Sequence, residues 1–66
     1  MIIKTKSEYN VFCKMYKWVE RNIGPDLEKF EVEILAPESV NTESWTFYKK
    51  EDSIMFLLRW SEYQVK

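Results

Sequence analysis

The chain contains no histidine, one cysteine (Cys13), one glycine (Gly24), one alanine (Ala36) and two prolines (Pro25 and Pro37). Without histidine, imidazole-based acid–base catalysis and the common zinc-finger ligand sets are excluded. A single thiol cannot close a disulfide within one chain, and a lone cysteine fits a reducing compartment. One glycine is too few for a phosphate loop or a dinucleotide fingerprint. The longest uninterrupted apolar run, Ile54 to Leu58, is far too short to cross a bilayer. The opening Met1-Ile2-Ile3-Lys4-Thr5-Lys6 lacks the apolar stretch and small-residue cleavage site of a signal peptide. The expectation is a cytoplasmic protein without cofactor, metal, membrane contact or small-molecule substrate.

What is present is a hydrophobic and aromatic-rich chain of 66 residues, 45% hydrophobic and 17% aromatic, which is one domain with a thin core rather than a disordered tail. The net charge of −1 excludes both a strongly basic nucleic-acid arm and a highly acidic DNA mimic. Charge is nevertheless uneven. Residues 1–23 hold Lys4, Lys6, Lys14, Lys17 and Arg21 against Glu8 and Glu20. Residues 24–48 hold only Lys29 against Asp26, Glu28, Glu31, Glu33, Glu38 and Glu43. Such polarity either reflects a basic helix beside an acidic sheet edge or selects the orientation of a partner. Phe, Tyr, Met, Ile, Asn and Lys are abundant and Gly, Ala, Arg and Pro scarce, which is the bias of an AT-rich genome such as that of many bacteriophages and mobile elements.

Met1 to Lys4 reads as a short strand or frayed chain. Thr5 and Glu8 have the spacing of a helix capping box, with Ser7 as the alternative cap. Phe12, Met15, Tyr16, Val19 and Ile23 then fall on one helical face. Gly24 and Pro25 stop the helix, with Gly24 suited to a left-handed terminus. Phe30-Glu31-Val32-Glu33-Ile34 alternates apolar and acidic, the mark of a strand with one wet face. Residues 36–43 read as a turn-rich connection. Trp45-Thr46-Phe47-Tyr48 and Ile54 to Trp60 read as a hairpin closed by Lys49-Lys50-Glu51-Asp52, with Phe47 opposite Ile54 and Trp45 opposite Phe56.

The predicted fold is therefore a small two-layer α+β domain, one helix on a three- or four-stranded, mainly antiparallel sheet, in the order β-α-β-β-β or α-β-β-β. Its expected core is Phe12, Met15, Tyr16, Val19, Ile23, Phe30, Val32, Ile34, Trp45, Phe47, Ile54, Phe56, Leu58 and Trp60.

Two contact surfaces follow. The last predicted strand is apolar on both faces, so Met55, Leu57 and Arg59, with Tyr48 beside them, would form an outer sheet face rimmed by charge. The competing structural reading is that the segment 61–65 folds back. The second surface is Trp18 with Lys14, Lys17 and Arg21 around it, suited to a protein hot spot or to stacking on a base while the cations take phosphates. Its competing reading is a tryptophan at the margin of the sheet. Cys13 reads as a packing residue, and Glu31 and Glu33 as a solvated strand face.

No nucleophile–base set or acid–base pair can be assembled, so an enzyme is not expected. The leading expectation is a non-enzymatic protein-binding module, a phage or mobile-element protein that inhibits or redirects a host factor by occluding a surface. The alternatives are nucleic-acid binding through the Trp18 face and a structural homodimer in which outer sheet faces or edge strands cover each other.

Overall fold

A computed structural model describes residues 1–36 and 40–65. The elements run β1 (Ile2–Glu8), α1 (Tyr9–Asn22), β2 (Phe30–Ala36), β3 (Val40–Phe47) and α2 (Lys50–Trp60), followed by a 3-10 turn, Ser61–Tyr63. The three strands form one antiparallel sheet in the order β1-β3-β2. This is the expected α+β class, with a different order at its C-terminal end.

β1 is longer than a frayed start. Ile3, Thr5 and Ser7 point inward while Ile2, Lys4, Lys6 and Glu8 face solvent, a strict two-residue alternation. This corrects the capping box. Thr5 and Ser7 are strand residues, and the residue preceding α1 is Glu8, which makes no side-chain cap hydrogen bond. Tertiary pairing of Thr5 with Glu43 and of Ser7 with Asn41 outweighed the local capping signal.

α1 buries Met15 and Val19, with Phe12, Tyr16 and Ile23 half-buried against the core. It ends as its sequence requires. The amides of Ile23 and Gly24 both donate to Val19 O, at 2.8 and 3.1 Å. Gly24 has φ 144°, and a Cβ there would collide with the Lys29 side chain.

The largest correction concerns residues 50–60. The hairpin does not form, and Ile54 to Trp60 is helix, with Glu51 and Asp52 in its first turn where the helix dipole favours carboxylates. Ser53, Phe56 and Trp60 are buried and Leu57 packs beside them, the i, i+3, i+4, i+7 set of a helix. A short apolar run has no decisive period. Met55, Leu57, Leu58 and Arg59 are unbranched at Cβ and prefer a helix, while only Ile54 is β-branched. Leu58, expected inside, is 83% exposed, and Ile54 is also exposed.

Both helices lie on the same sheet face. Phe12 and Phe56 approach Trp45 with ring centroids 5.7 and 5.0 Å apart, Phe56 lies 5.1 Å from Phe47, and Tyr16 lies 5.7 Å from Phe30. The opposite sheet face carries Lys4, Lys6, Thr42, Ser44, Thr46, Glu31 and Glu33 and is mainly polar, with Ile2 and Val40 exposed at its ends. Ile34, expected in the core, is exposed at the far end of β2. Within the expected connection 36–43, Ala36 ends β2 and Val40 to Glu43 belong to β3, and Pro37, Glu38 and Ser39 lie outside the described residues. The segment after α2 does fold back, since Val65 N–H donates to Lys4 O at 2.8 Å and Gln64 bridges Thr5 along the free side of β1.

Candidate functional site

Lys14, Lys17, Trp18 and Arg21 recur at i, i+3, i+4 and i+7, so α1 presents them as one stripe. α2 lies beside that stripe and adds Arg59 and Trp60. Together with Asn22 these residues line a groove of about 350 Å³ between the two helices. Four of its seven lining side chains are cations and none is acidic.

The floor is aromatic. Trp18 meets Trp60 edge to face, with centroids 6.3 Å apart and planes at 85°. The Arg59 guanidinium lies 4.0 Å from the centre of the Trp60 ring, a cation–π contact that holds it at the rim. Trp60 is only 5% exposed, and its indole Nε1 has no hydrogen-bond partner among the described residues. Trp18 is half-buried. Arg21 and Arg59 each stand in the last turn of their helix, where the helix dipole favours a cation. The arrangement is suited to an anionic group that brings some apolar surface with it.

The other predicted surface does not exist as an outer sheet face. Met55, Leu57 and Arg59 are helix residues. Met55 is exposed, Leu57 is half-buried against the core, and Arg59 turns into the groove. Tyr48 is exposed just beyond β3. The structure thus unites Arg59 with Lys14, Lys17, Trp18 and Arg21, and leaves Tyr48, Met55 and Leu57 outside that groove.

A buried polar cluster went unrecognised in the sequence. Glu43 is fully enclosed on the inner sheet face, and its Oε1 accepts from Thr5 Oγ1 and Ser7 Oγ, each at 2.8 Å. Trp45 Nε1 donates to Thr5 Oγ1 at 2.9 Å. Glu43 Oε2 has no hydrogen-bond partner among the described residues. Burial raises the carboxyl above its ordinary range, and the two hydroxyl donors only partly oppose that. Counting back in twos from Phe47 places Glu43 beside Trp45 on the inner face, the one signal that would have found it. With no exposed surface, this carboxyl is a structural group and not a docking point. Cys13 is a half-buried free thiol on α1. Glu31 and Glu33 are exposed on the wet sheet face. Among the described residues no three His, Cys, Asp or Glu side chains cluster as a metal site would need, and no helix is long and apolar enough to cross a membrane.

No known protein family matches this chain, and comparison with curated proteins and with solved structures found no significant similarity.

Proposed function

We propose that the protein is a non-enzymatic binding module that uses the two-helix groove to cover an acidic surface of a partner protein. The observation that carries this reading is the convergence of Lys14, Lys17, Arg21 and Arg59 around Trp18 and Trp60 without an acidic side chain among them. Trp and Arg dominate protein hot spots, and a semi-enclosed aromatic floor with a cationic rim fits an acidic segment carrying an apolar anchor. A residue bias of the phage or mobile-element kind agrees with a protein that blocks a host factor, because occlusion requires a complementary surface and no chemistry.

Nucleic acid is the second reading, favoured by the same cations. Single-strand binders stack successive bases on exposed rings. Here Trp60 is nearly enclosed and Trp18 is half-buried against it, which leaves one incomplete platform. That geometry favours the protein partner.

The test is a nuclease-treated pull-down from bacterial lysate with the wild type and with Lys17→Glu/Arg21→Glu, read by mass spectrometry. An acidic protein retained by the wild type and lost with the double variant is expected. Trp18→Ala should weaken that complex by about 2 kcal/mol. Capture that disappears with nuclease would transfer the site to nucleic acid, and capture that survives the charge reversal would remove the groove from the interaction.

A further inference from the structure

The two outer sides of the sheet are not equivalent. Beside β1, Val65 N–H donates to Lys4 O and Gln64 bridges Thr5, so the chain itself covers the middle of that edge. Beside β2, the loop before the strand closes only its beginning. Leu27 N–H donates to Phe30 O at 2.7 Å, and Asp26 bridges Phe30.

Strand geometry decides which main-chain groups lie free beyond that point. Phe47 exchanges both of its main-chain bonds with Met1, on the β1 side. Phe47 and its β2 partner Phe30 therefore turn their amides away from each other, and Phe30 faces outward. By the two-residue repeat, Val32 and Ile34 also direct their N–H and C=O groups outward. Among the described residues no strand pairs there, since the sheet order ends at β2.

The wet sheet face beside this edge carries an acidic cleft. Asp26, Leu27, Glu31, Val32, Glu33, Ser44 and Thr46 line a cleft of about 290 Å³ that contains three carboxylates and no cation. One oxygen of Asp26 is buried without a hydrogen-bond partner among the described residues. Leu27, Ile34 and Leu35 add exposed apolar surface at the two ends of the edge.

We propose that the β2 edge accepts an extended segment of a partner protein as a fourth strand, and that this segment alternates basic and apolar residues. On the wet face its cations would stand opposite Glu31 and Glu33. On the inner face its apolar residues would extend the row of Phe30, Val32 and Ile34. Main-chain bonds to Val32 and Ile34 would supply affinity, as in strand addition generally. A second copy of this chain is the disfavoured occupant, because pairing β2 with itself through Val32 brings Glu31 and Glu33 against the same carboxylates, and like charges directly opposite are destabilising. The site stands on its own observations and is independent of the two-helix groove.

The experiment is a titration of the isotope-labelled 66-residue chain with an acetylated and amidated peptide of alternating lysine and valine, about seven residues long. Amide resonances report the site. Saturable shifts at Val32 and Ile34, with Lys17, Trp18 and Arg21 unmoved, are expected. Glu31→Lys/Glu33→Lys should weaken binding about tenfold or more. The same peptide N-methylated at alternate residues keeps its charge but loses the donors that face the protein, and it should fail to bind. Equal binding of the methylated peptide would overturn strand addition and leave only charge attraction. Shifts confined to other elements, or absent altogether, would overturn the site. Dimerisation of the protein alone with shifts at Val32 and Ile34 would replace the foreign segment with a second copy.

Discussion

Thr5 donates its hydroxyl to the buried carboxylate of Glu43 at 2.8 Å, across 38 residues of chain. The same Thr5 oxygen accepts from Trp45 Nε1 at 2.9 Å. One small side chain on β1 therefore bonds both a core indole and one oxygen of a core carboxyl on β3, and Ser7 adds a second donor to that same oxygen. The cluster pins β1 to β3 in a single register, because sliding β1 by one residue would turn Thr5 and Ser7 to the wet face and leave Glu43 and Trp45 without them.

The first prediction concerns pH. Burial raises the Glu43 carboxyl, so the folded protein keeps its proton at pH values where the unfolded chain, titrating near 4.5, has released it. The stability this proton contributes is complete below the unfolded value and is lost as pH rises through the raised folded value. Urea unfolding should show the wild type losing stability, relative to Glu43→Gln, as pH rises above about 4.5. Parallel pH profiles of the two proteins would show that Glu43 is not the titrating group.

A second prediction addresses the cluster. Thr5→Val is nearly isosteric, yet it strands Trp45 Nε1 and removes a donor from Glu43. It should cost about 2–3 kcal/mol. In Thr5→Val/Glu43→Leu the added loss should be much smaller than two independent losses, because the buried carboxyl that Thr5 serves has gone. A double-mutant cycle by chemical denaturation measures this, and strict additivity would contradict it.

The third prediction tests the helical phase of α2. Leu58→Ala should alter stability by less than about 0.5 kcal/mol, since Leu58 is 83% exposed. Leu57→Ala should cost about 1–2 kcal/mol, since Leu57 packs against the core. A strand over the same residues would give the reverse ranking, so two denaturation curves separate the alternatives.

A fourth prediction follows from Tyr16, whose phenol donates to Asp26 Oδ2 at 2.9 Å. That bond, aided by burial, pushes its pKa up to about 12. A raised phenol contributes stability below its ordinary value of 10.0 and loses it as pH rises through about 12. Ultraviolet titration of tyrosinate should show a last step near that value, and Tyr16→Phe should remove it. A step that persists in the variant belongs to another tyrosine.

The parts of this fold with an unambiguous local pattern were legible in the sequence. The α1 stripe of Met15 and Val19 is one such part. The Gly24 stop is another, and so is the acidic alternation of β2. So were the aromatic residues of the core, because Phe30, Trp45, Phe47, Phe56 and Trp60 are too large and apolar to leave in water. The basic stripe of Lys14, Lys17, Trp18 and Arg21 was readable from its helical spacing alone. A two-residue repeat places Arg59 on an outer sheet face, whereas the helix turns it into the groove.

By itself, then, the sequence determined an α+β domain with a basic helix face and an acidic strand, through periodicity and charge. Tertiary structure decided the rest. Residues 50–60 carry no decisive period in isolation, and packing of Phe56 over Trp45 and Phe47, with Trp60 against Trp18, selected the helix. That choice brought Arg59 to the α1 stripe and made a groove out of a single cationic face. Among the described residues it also left β2 at an edge of the sheet. The enclosed Glu43 has the same origin, since a carboxylate enters a core only where distant partners such as Thr5 and Ser7 are already held in place to receive it.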